Sequence, residues 1–379
     1  MQSIEAQNSL ELDLIPYRKG QNWGYCNKNK KIVIPCKYED AMPFSEGLAA
    51  VQLKEKWGFI DKTGKQVIPC KYDYAAPFEN GLSAVSINKK YGFIDKTGKE
   101  VIPCKYDRHY SFSDGLVMMK LNGKLGFVDK TGKEVIPFKY DYENDEVSSF
   151  REGLAKVKVN QKFGFIDKTG KEVIPCKYEE ADAFSEGLAK VKYNGKYGFI
   201  DKTGKEVIAC KYQKVGFFSE GLAPVQFNGK WGFVDQTGKE VVACKYEDAI
   251  VFKEGLAPVM LNNRYGFIDK TGKEVISFKY QYVYNFCEGF AQVTLNDKTG
   301  FIDKTGQLVI PNKYEGGYDF CEGAAPVKLN GKWGFIVKAG KEIPCKYDEA
   351  DSFSAGLANV TLNDNSGYID INGTEYWED

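Results

Sequence analysis

Short, largely apolar runs of strand length, separated by turn signals, fill nearly the whole chain, and their side chains point alternately to two faces. From Gly187 the sequence reads GLAKVKYNGKYGFIDKTGKEVIACKY, followed by a connection ending in FFSEG. Leu188 to Tyr193 reads as a strand. Asn194-Gly195 then fits a two-residue type I′ hairpin loop, because both of its central residues need positive φ. Lys196 to Asp201 is a second strand. Lys202-Thr203-Gly204 suits a three-residue hairpin with glycine in the left-handed position and a bulge, and Asp201 can bond the turn's own amides. Glu206 to Tyr212 is a third strand. The unit is a three-stranded antiparallel meander, and no segment has a helical period.

The unit repeats. An aromatic-glycine step recurs at Trp23-Gly24, Trp57-Gly58, Tyr91-Gly92, Phe163-Gly164, Tyr197-Gly198, Trp231-Gly232, Tyr265-Gly266 and Trp333-Gly334, with degenerate copies at Leu125-Gly126, Thr299-Gly300 and Ser366-Gly367. Successive glycines are 34 residues apart, except for one interval of 38 and a last one of 33. These eleven copies give a single array over residues 11–379, with residues 1–10 as an N-terminal tail or cap.

The faces of the strands set the architecture. Tyr197 and Phe199 share one face of the second strand, and Gly198 and Ile200 the other. In the third strand Val207 and Ala209 oppose Ile208, Cys210 and Tyr212. A small sheet that is apolar on both faces needs a cover on each side, and neighbouring copies stacked at about 10 Å supply it. The small glycine is expected to let a neighbour's ring approach closely. A second aromatic column (Phe44, Phe78, Phe112, Phe150, Phe184, Phe218, Phe252, Phe286, Phe320, Phe353) is expected to plug each connection onto the stack. Propellers usually have about 4–8 blades of four strands. Three-stranded units in this number predict an all-β fold stacked into an open, curved, superhelical array with atypical end copies as caps. The alternative is a closed, propeller-like ring.

The recurring K-[WY]-G-F-I-D-K-T-G-K-E-V-I-P-C-K-Y, with its E-G-L-A lead-in, resembles the bacterial WG repeat family over about residues 11 to 377. The resemblance implies arrays of β-repeats that bind or scaffold, and supplies no active-site residues. Leu125, Thr299 and Ser366 depart from the pattern at the aromatic position.

Charge narrows the partners. Lysine plus arginine and aspartate plus glutamate number 52 each, so the net charge is zero. General attraction to nucleic acid or an anionic membrane is not expected. Lysine recurs before the third-strand tyrosine (Lys37, Lys71, Lys105, Lys139, Lys177, Lys211, Lys245, Lys279, Lys313, Lys346), usually followed by an acid such as Asp73, Asp107, Glu179 or Glu247. This reads as a self-compensating ladder; the alternative, a basic stripe tracking phosphates, is weakened by the presence of only four arginines. No run reaches the length of a membrane span. Met1 to Leu14 lacks the apolar core of a secretory signal, which leaves open a leader removed before residue 1.

The chemistry-bearing motifs have structural readings. Asp-Lys-Thr-Gly at Asp61, Asp95, Asp129, Asp167, Asp201, Asp269 and Asp303 matches a phosphorylated-aspartate motif over four residues, but its recurrence at one period marks a turn. Cys36, Cys70, Cys104, Cys176, Cys210, Cys244 and Cys345 share a column that also accepts Phe138, Phe278 and Asn312. That is expected of packed free thiols, and free thiols suit a reducing cytoplasm. Cys287 and Cys321 replace a connection serine and are expected to be more exposed. The one histidine, His109, replaces the alanine of other connections (Ala41, Ala75, Ala181). No catalytic residue, cofactor or metal site is expected.

The connection from Tyr140 to Phe150 is four residues longer than the others and carries Asp141, Tyr142, Glu143, Asn144, Asp145 and Glu146. Insertions in arrays often sit on a binding face. With Met118 and Met119, which also break the pattern, Asp141, Tyr142, Glu143, Asp145 and Glu146 form the candidate partner contact. The expected function is a non-catalytic cytoplasmic scaffold for protein–protein interaction, an accessory or adaptor subunit of a bacterial complex. The alternatives are carbohydrate or cell-envelope binding through exposed aromatics, and nucleic-acid binding along the lysines.

Overall fold

A computed structural model of the chain describes residues 14–141, 148–338 and 340–378. It divides into two compact units, one made of Met1–Lys139 with Tyr347–Asp379 and the other of Tyr140–Lys346. Both are all-β, and their described residues form eleven small sheets, nine of four strands and two of three.

The three strands read from the sequence are present. In one copy they are Leu188–Tyr193, Lys196–Asp201 and Glu206–Tyr212, paired antiparallel in order. Asn194 and Gly195 both have positive φ, at 49° and 74°. In the second turn Gly204 has φ 83°, and the Asp201 carboxylate accepts from the Thr203 amide at 2.9 Å, the Thr203 hydroxyl at 2.6 Å and the Lys205 amide at 3.1 Å.

A fourth strand was not foreseen. Two residues of the connection, Glu180–Ala181 in this copy, pair with the first strand of the next sheet (Glu180↔Lys192, Ala181↔Val191). The chain thus leaves the edge of one sheet and starts the edge of the following one. Strands this short lack a periodic signature, which is why the pattern alone gives three.

The glycine of the aromatic-glycine step serves its own sheet, not a neighbour's ring. Trp57 pairs with Tyr72 and Phe59 with Ile68, so Pro69, Cys70 and Lys71 bulge against Gly58 alone. A Cβ on Gly58 would lie 2.6 Å from both the Ile68 oxygen and the Cys70 nitrogen. The position is glycine because backbone passes there.

The cores lie between consecutive sheets. Leu188, Phe199, Ile208 and Tyr212 of one sheet meet Ala223, Val225 and Val234 of the next, with Val215 and Phe218 of the connection between them. The connection phenylalanine plugs the stack as expected: the Phe218 ring packs edge-on to Phe199 at 4.8 Å, and Phe184 to Phe165 at 4.9 Å. Burying such a ring stabilises by about 1.5–3 kcal/mol.

Three polar links recur from sheet to sheet. In the Ser-Glu-Gly turn, Glu220 takes φ 55° and its carboxylate accepts from the amide of Gly255, at the same place in the next sheet, at 3.1 Å. Ser219 of that turn donates its hydroxyl to the Phe252 carbonyl at 2.6 Å. The acid after the third-strand tyrosine caps the next sheet's first hairpin: Glu179 accepts from the Gly195 amide at 3.0 Å, and Glu247 from the Asn263 amide at 2.8 Å.

The expectation of an open array with free, capping ends is corrected in the first unit. Its first sheet, Ile15–Lys19, Asn22–Cys26 and Ile32–Tyr38, takes a further edge strand from the chain's other end, Trp377–Glu378. The pairing is parallel (Arg18↔Trp377, Lys19↔Glu378), and the Gly20 amide donates to the Glu378 carbonyl at 2.8 Å. Ile15, Tyr17 and Cys26 pack with Leu357 and Tyr376. The first and last copies meet, which the closed alternative requires. The degenerate last copy is a joint, not a cap: after the turn at Asp370, Glu375 bridges Ile369 as a reduced third strand before the chain crosses to the first sheet.

Candidate functional site

The sequence-derived contact residues do not come together at a described surface. Tyr142, Glu143, Asp145 and Glu146 lie outside the described residues. Asp141 ends the strand Glu134–Asp141, and its carboxylate accepts from the Asn160 amide at 3.1 Å, the hairpin-capping role found in other copies. Met118 and Met119 are buried, 1% and 0% exposed, with Met119 packed among Val117, Val128 and Phe93.

The regular aromatic column is not a solvent-facing row either. Trp23, Trp57 and Phe163 are buried, and Tyr91, Tyr197, Trp231, Tyr265 and Trp333 are half-buried. Some are tied down: the Tyr265 hydroxyl donates to Asp248 at 2.6 Å and that of Tyr197 to Glu180 at 2.6 Å. The lysine column sits on its own tyrosines. Lys211 and Lys245 each place Nζ 5.2 Å from the ring centre of the following residue, Tyr212 and Tyr246.

All ten cysteines are free. The column cysteines are half-buried against the first strand, as with Cys345, whose thiol donates to the Val327 carbonyl at 3.6 Å. Burial pushes the Cys176 thiol up to about 11 and that of Cys210 to about 12. These thiols stay protonated and unreactive at neutral pH. Cys287 and Cys321 are half-buried too. Among the described residues no group of His, Cys, Asp and Glu is placed to hold a metal ion.

In the first unit His109 lies on Arg108–Ser113, a six-residue edge strand where other copies have two residues. Its ring is 5.0 Å from Tyr91 and 5.5 Å from Phe93, and Nδ1 is buried without a hydrogen-bond partner. Burial pushes the imidazole pKa below its usual value. With Tyr110, Glu79 and Asn80 it borders a pocket of about 180 Å³.

Exposed aromatic residues include Tyr74 in the first unit and Tyr193, Phe217 and Phe227 in the second, where two successive connections add three more. Tyr282, Tyr284 and Tyr318 are 66%, 54% and 53% exposed. All lie on connections, which bury Val283, Phe286 and Phe320 in the core and leave these three rings outside it. The Tyr284 and Tyr318 amides donate to the Gln292 and Pro326 carbonyls, both at 3.0 Å, which fixes the two tyrosines at sheet edges. Tyr318 stacks on Trp333 with centroids 5.1 Å apart and planes 1° from parallel. Tyr284, Gln292, Gly317, Tyr318 and Asp319 line a pocket of about 210 Å³. Burial pushes the Asp319 carboxyl above the usual range, and the Lys253 charge pulls the other way.

Sequence reading missed this cluster because it followed the columns that recur from copy to copy. The signal lies in the connections: Tyr284 and Tyr318 occupy the place of Asp182, Gly216 and Ile250, and Gly316-Gly317 replaces Glu180-Ala181.

A sequence model described as WG containing repeat matches residues 23–57, 57–91, 91–124, 126–163, 163–197, 197–231, 231–265, 265–298, 300–333 and 337–365. The sequence matches no curated protein. Among solved structures, a eukaryotic initiation factor is similar at 12% identity and TM-score 0.43, over 96% of this chain and 94% of its own. Hsv2p of Kluyveromyces lactis is similar at 11% identity and TM-score 0.35, over 68% and 94%. The tricorn protease is similar at 12% identity and TM-score 0.34, over 94% of this chain and 49% of its own. Likeness at these scores carries nothing about function.

Proposed function

The chain belongs to the WG containing repeat family, and from that premise we propose that it is a non-catalytic scaffold that binds another protein, as an accessory or adaptor subunit of a complex. The observation that carries this reading is the exposure of Tyr282, Tyr284 and Tyr318 on connections of the second unit. Tyr318 stacks on Trp333, but none of the three rings is buried in the core. Tyrosine is enriched where proteins bind proteins, because it offers a large apolar face and a polar tip at little conformational cost. Backbone hydrogen bonds to the adjacent strand hold Tyr284 and Tyr318 in place. Free, half-buried thiols fit work in a reducing compartment such as the cytoplasm.

The test is an affinity capture from the native host under reducing conditions, with nuclease treatment and mass spectrometry. The wild-type chain is compared with a Tyr282→Ser, Tyr284→Ser, Tyr318→Ser variant whose circular dichroism is unchanged. A stoichiometric protein captured by the wild type and lost by the variant is expected. Capture of envelope glycan only, or of nuclease-sensitive material with a steep salt dependence, would replace the reading with one of its alternatives.

A further inference from the structure

The pocket beside Tyr318 has a composition that the repeat does not require. Two consecutive connections put tyrosine in one column, Tyr284 and Tyr318, and an amide or acid in the next, Asn285 and Asp319. Gly317 stands where other copies of this unit have Ala181, Val215, Ala249 or Val283, and a Cβ there would lie 2.9 Å from the Pro326 oxygen, so the floor is left clear. Gln292 lines the pocket at 5% exposure, and no described residue hydrogen-bonds to its side-chain amide. Asp319 has neither a hydrogen bond nor an ion pair with a described residue; Lys253 acts on it through its charge without reaching it. Beside Tyr284, the buried Asn285 Oδ1 also lacks a partner.

The ring faces, the Asp319 carboxylate and the Gln292 amide oxygen all favour positive charge, while the Gln292 NH2 and the tyrosine hydroxyls can also donate. Aromatic faces carry negative quadrupole potential, the carboxylate is an acceptor when ionised, and the amide oxygen adds a further acceptor. An anion would be repelled, and a neutral apolar group would leave the carboxylate desolvated and unpaired. We propose that this pocket binds a monovalent organic cation, an alkylammonium or guanidinium head, with Asp319 as counter-ion and the Tyr284 and Tyr318 rings as its aromatic walls. The proposal deepens the scaffold reading and rests on it for the occupant, a lysine or arginine side chain of the partner protein. A volume of about 210 Å³ admits such a head group and part of its stem.

The test titrates the full chain, by ligand-observed NMR up to about 20 mM, with N-acetyl-lysine methylamide and N-acetyl-arginine methylamide. Choline is the free-ammonium arm; N-acetyl-norleucine methylamide, 3,3-dimethylbutanol and glucose are the neutral ones. The expected result is binding of the lysine or arginine amide at least about fivefold tighter than norleucine. Asp319→Asn, a near-isosteric change, should weaken it by about tenfold, and Tyr284→Ala should weaken it too. Choline binding without either amide would overturn the side-chain occupant and assign the pocket to a small ammonium metabolite. Equal affinity for cations and neutral isosteres, binding of glucose alone, or no binding at all would overturn the cation site. The two readings fail separately: a partner lost by the triple tyrosine variant with no cation binding keeps the scaffold and sinks the pocket. Cation binding with no captured protein does the reverse.

Discussion

Glu220 and Lys270 stand 50 residues apart in sequence, and their charges meet at 3.1 Å across two consecutive sheets. The same Glu220 carboxylate holds the Gly255 amide. Burial works to raise its pKa, but the Lys270 and Gly255 contacts outweigh it and the net shift is downward. Equivalent links join Glu46 to Lys96, Glu254 to Lys304 and Glu288 to Lys338, at 3.0, 3.1 and 2.9 Å. Glu220→Ala removes an acceptor from a backbone amide as well as the ion pair, and should cost about 1–2 kcal/mol. Lys270→Met removes only a half-exposed partner and should cost under about 1 kcal/mol. Urea unfolding, with hydrogen exchange at the Gly255 amide as the local readout, separates the two; equal costs would mean that the amide contributes nothing.

Gly58→Ala should cost more than about 3 kcal/mol or prevent folding, because its Cβ would meet backbone at 2.6 Å, which no rotamer relieves. Gly195→Asn should cost little. Its site is open, and the equivalent positions already hold non-glycine residues at positive φ, such as Glu55 at 59° and Gln161 at 63°. Thermal unfolding of the two variants checks the contrast. A mild effect at Gly58 would show that the bulge can rearrange.

How far the sequence went follows from the range of each contact. The Asn194-Gly195 and Lys202-Thr203-Gly204 turns were legible because their chemistry is local. Phe218 was legible as a plug because an apolar residue in a polar connection has few other uses. The Glu180–Ala181 strand was hidden because it is two residues long and is defined by its partner Lys192–Val191. The pairing of Arg18 with Trp377 was hidden because nothing local to either end encodes it. Tyr284 and Tyr318 escaped because repetition draws attention to what stays constant, and this candidate site is made of what changes.

The turn aspartates set the acid limit. The Thr203 hydroxyl, followed by the Thr203 and Lys205 amides, stabilises the charged form of Asp201 and lowers its pKa; Asp61, Asp95, Asp167, Asp235, Asp269 and Asp303 are lowered in the same way. A carboxyl depressed on folding adds stability above its unfolded value of about 4 and loses it as pH falls through the lower native value. The stability of the wild type should therefore fall below about pH 4. Asp201→Asn should keep its turn, as Asn27 does in the first copy by accepting from the Asn29 amide at 3.0 Å, and should reduce that fall. Urea midpoints from pH 6 down to 2.5 measure it.

His109 works at higher pH. Its native pKa lies below the usual value because burial disfavours the imidazolium. The stability it contributes is complete above the unfolded value of about 6.5 and declines as pH falls through it. His109→Ala restores the residue of other copies and removes the orphaned Nδ1. The variant should lose less stability than the wild type between pH 7.5 and 5.5. Parallel urea curves at the two pH values would show instead that the native imidazole takes up its proton without penalty.

Deleting Trp377, Glu378 and Asp379 tests the joint between the chain's ends. The deletion removes the acceptor of the Gly20 amide and the Trp377 ring that packs edge-on to Tyr347 at 6.3 Å, and it bares the edge of Ile15–Lys19. An unpaired edge of this kind is open to pairing with another chain. The truncated protein should lose hydrogen-exchange protection at Gly20 and self-associate with rising concentration, while amides of the second unit such as Gly221, held by Glu186 at 2.9 Å, keep theirs. Those amides answer to links between neighbouring sheets, so their protection should survive the loss of the terminal strand. Full protection at Gly20 after truncation would show that the first sheet holds its edge without help from the last copy.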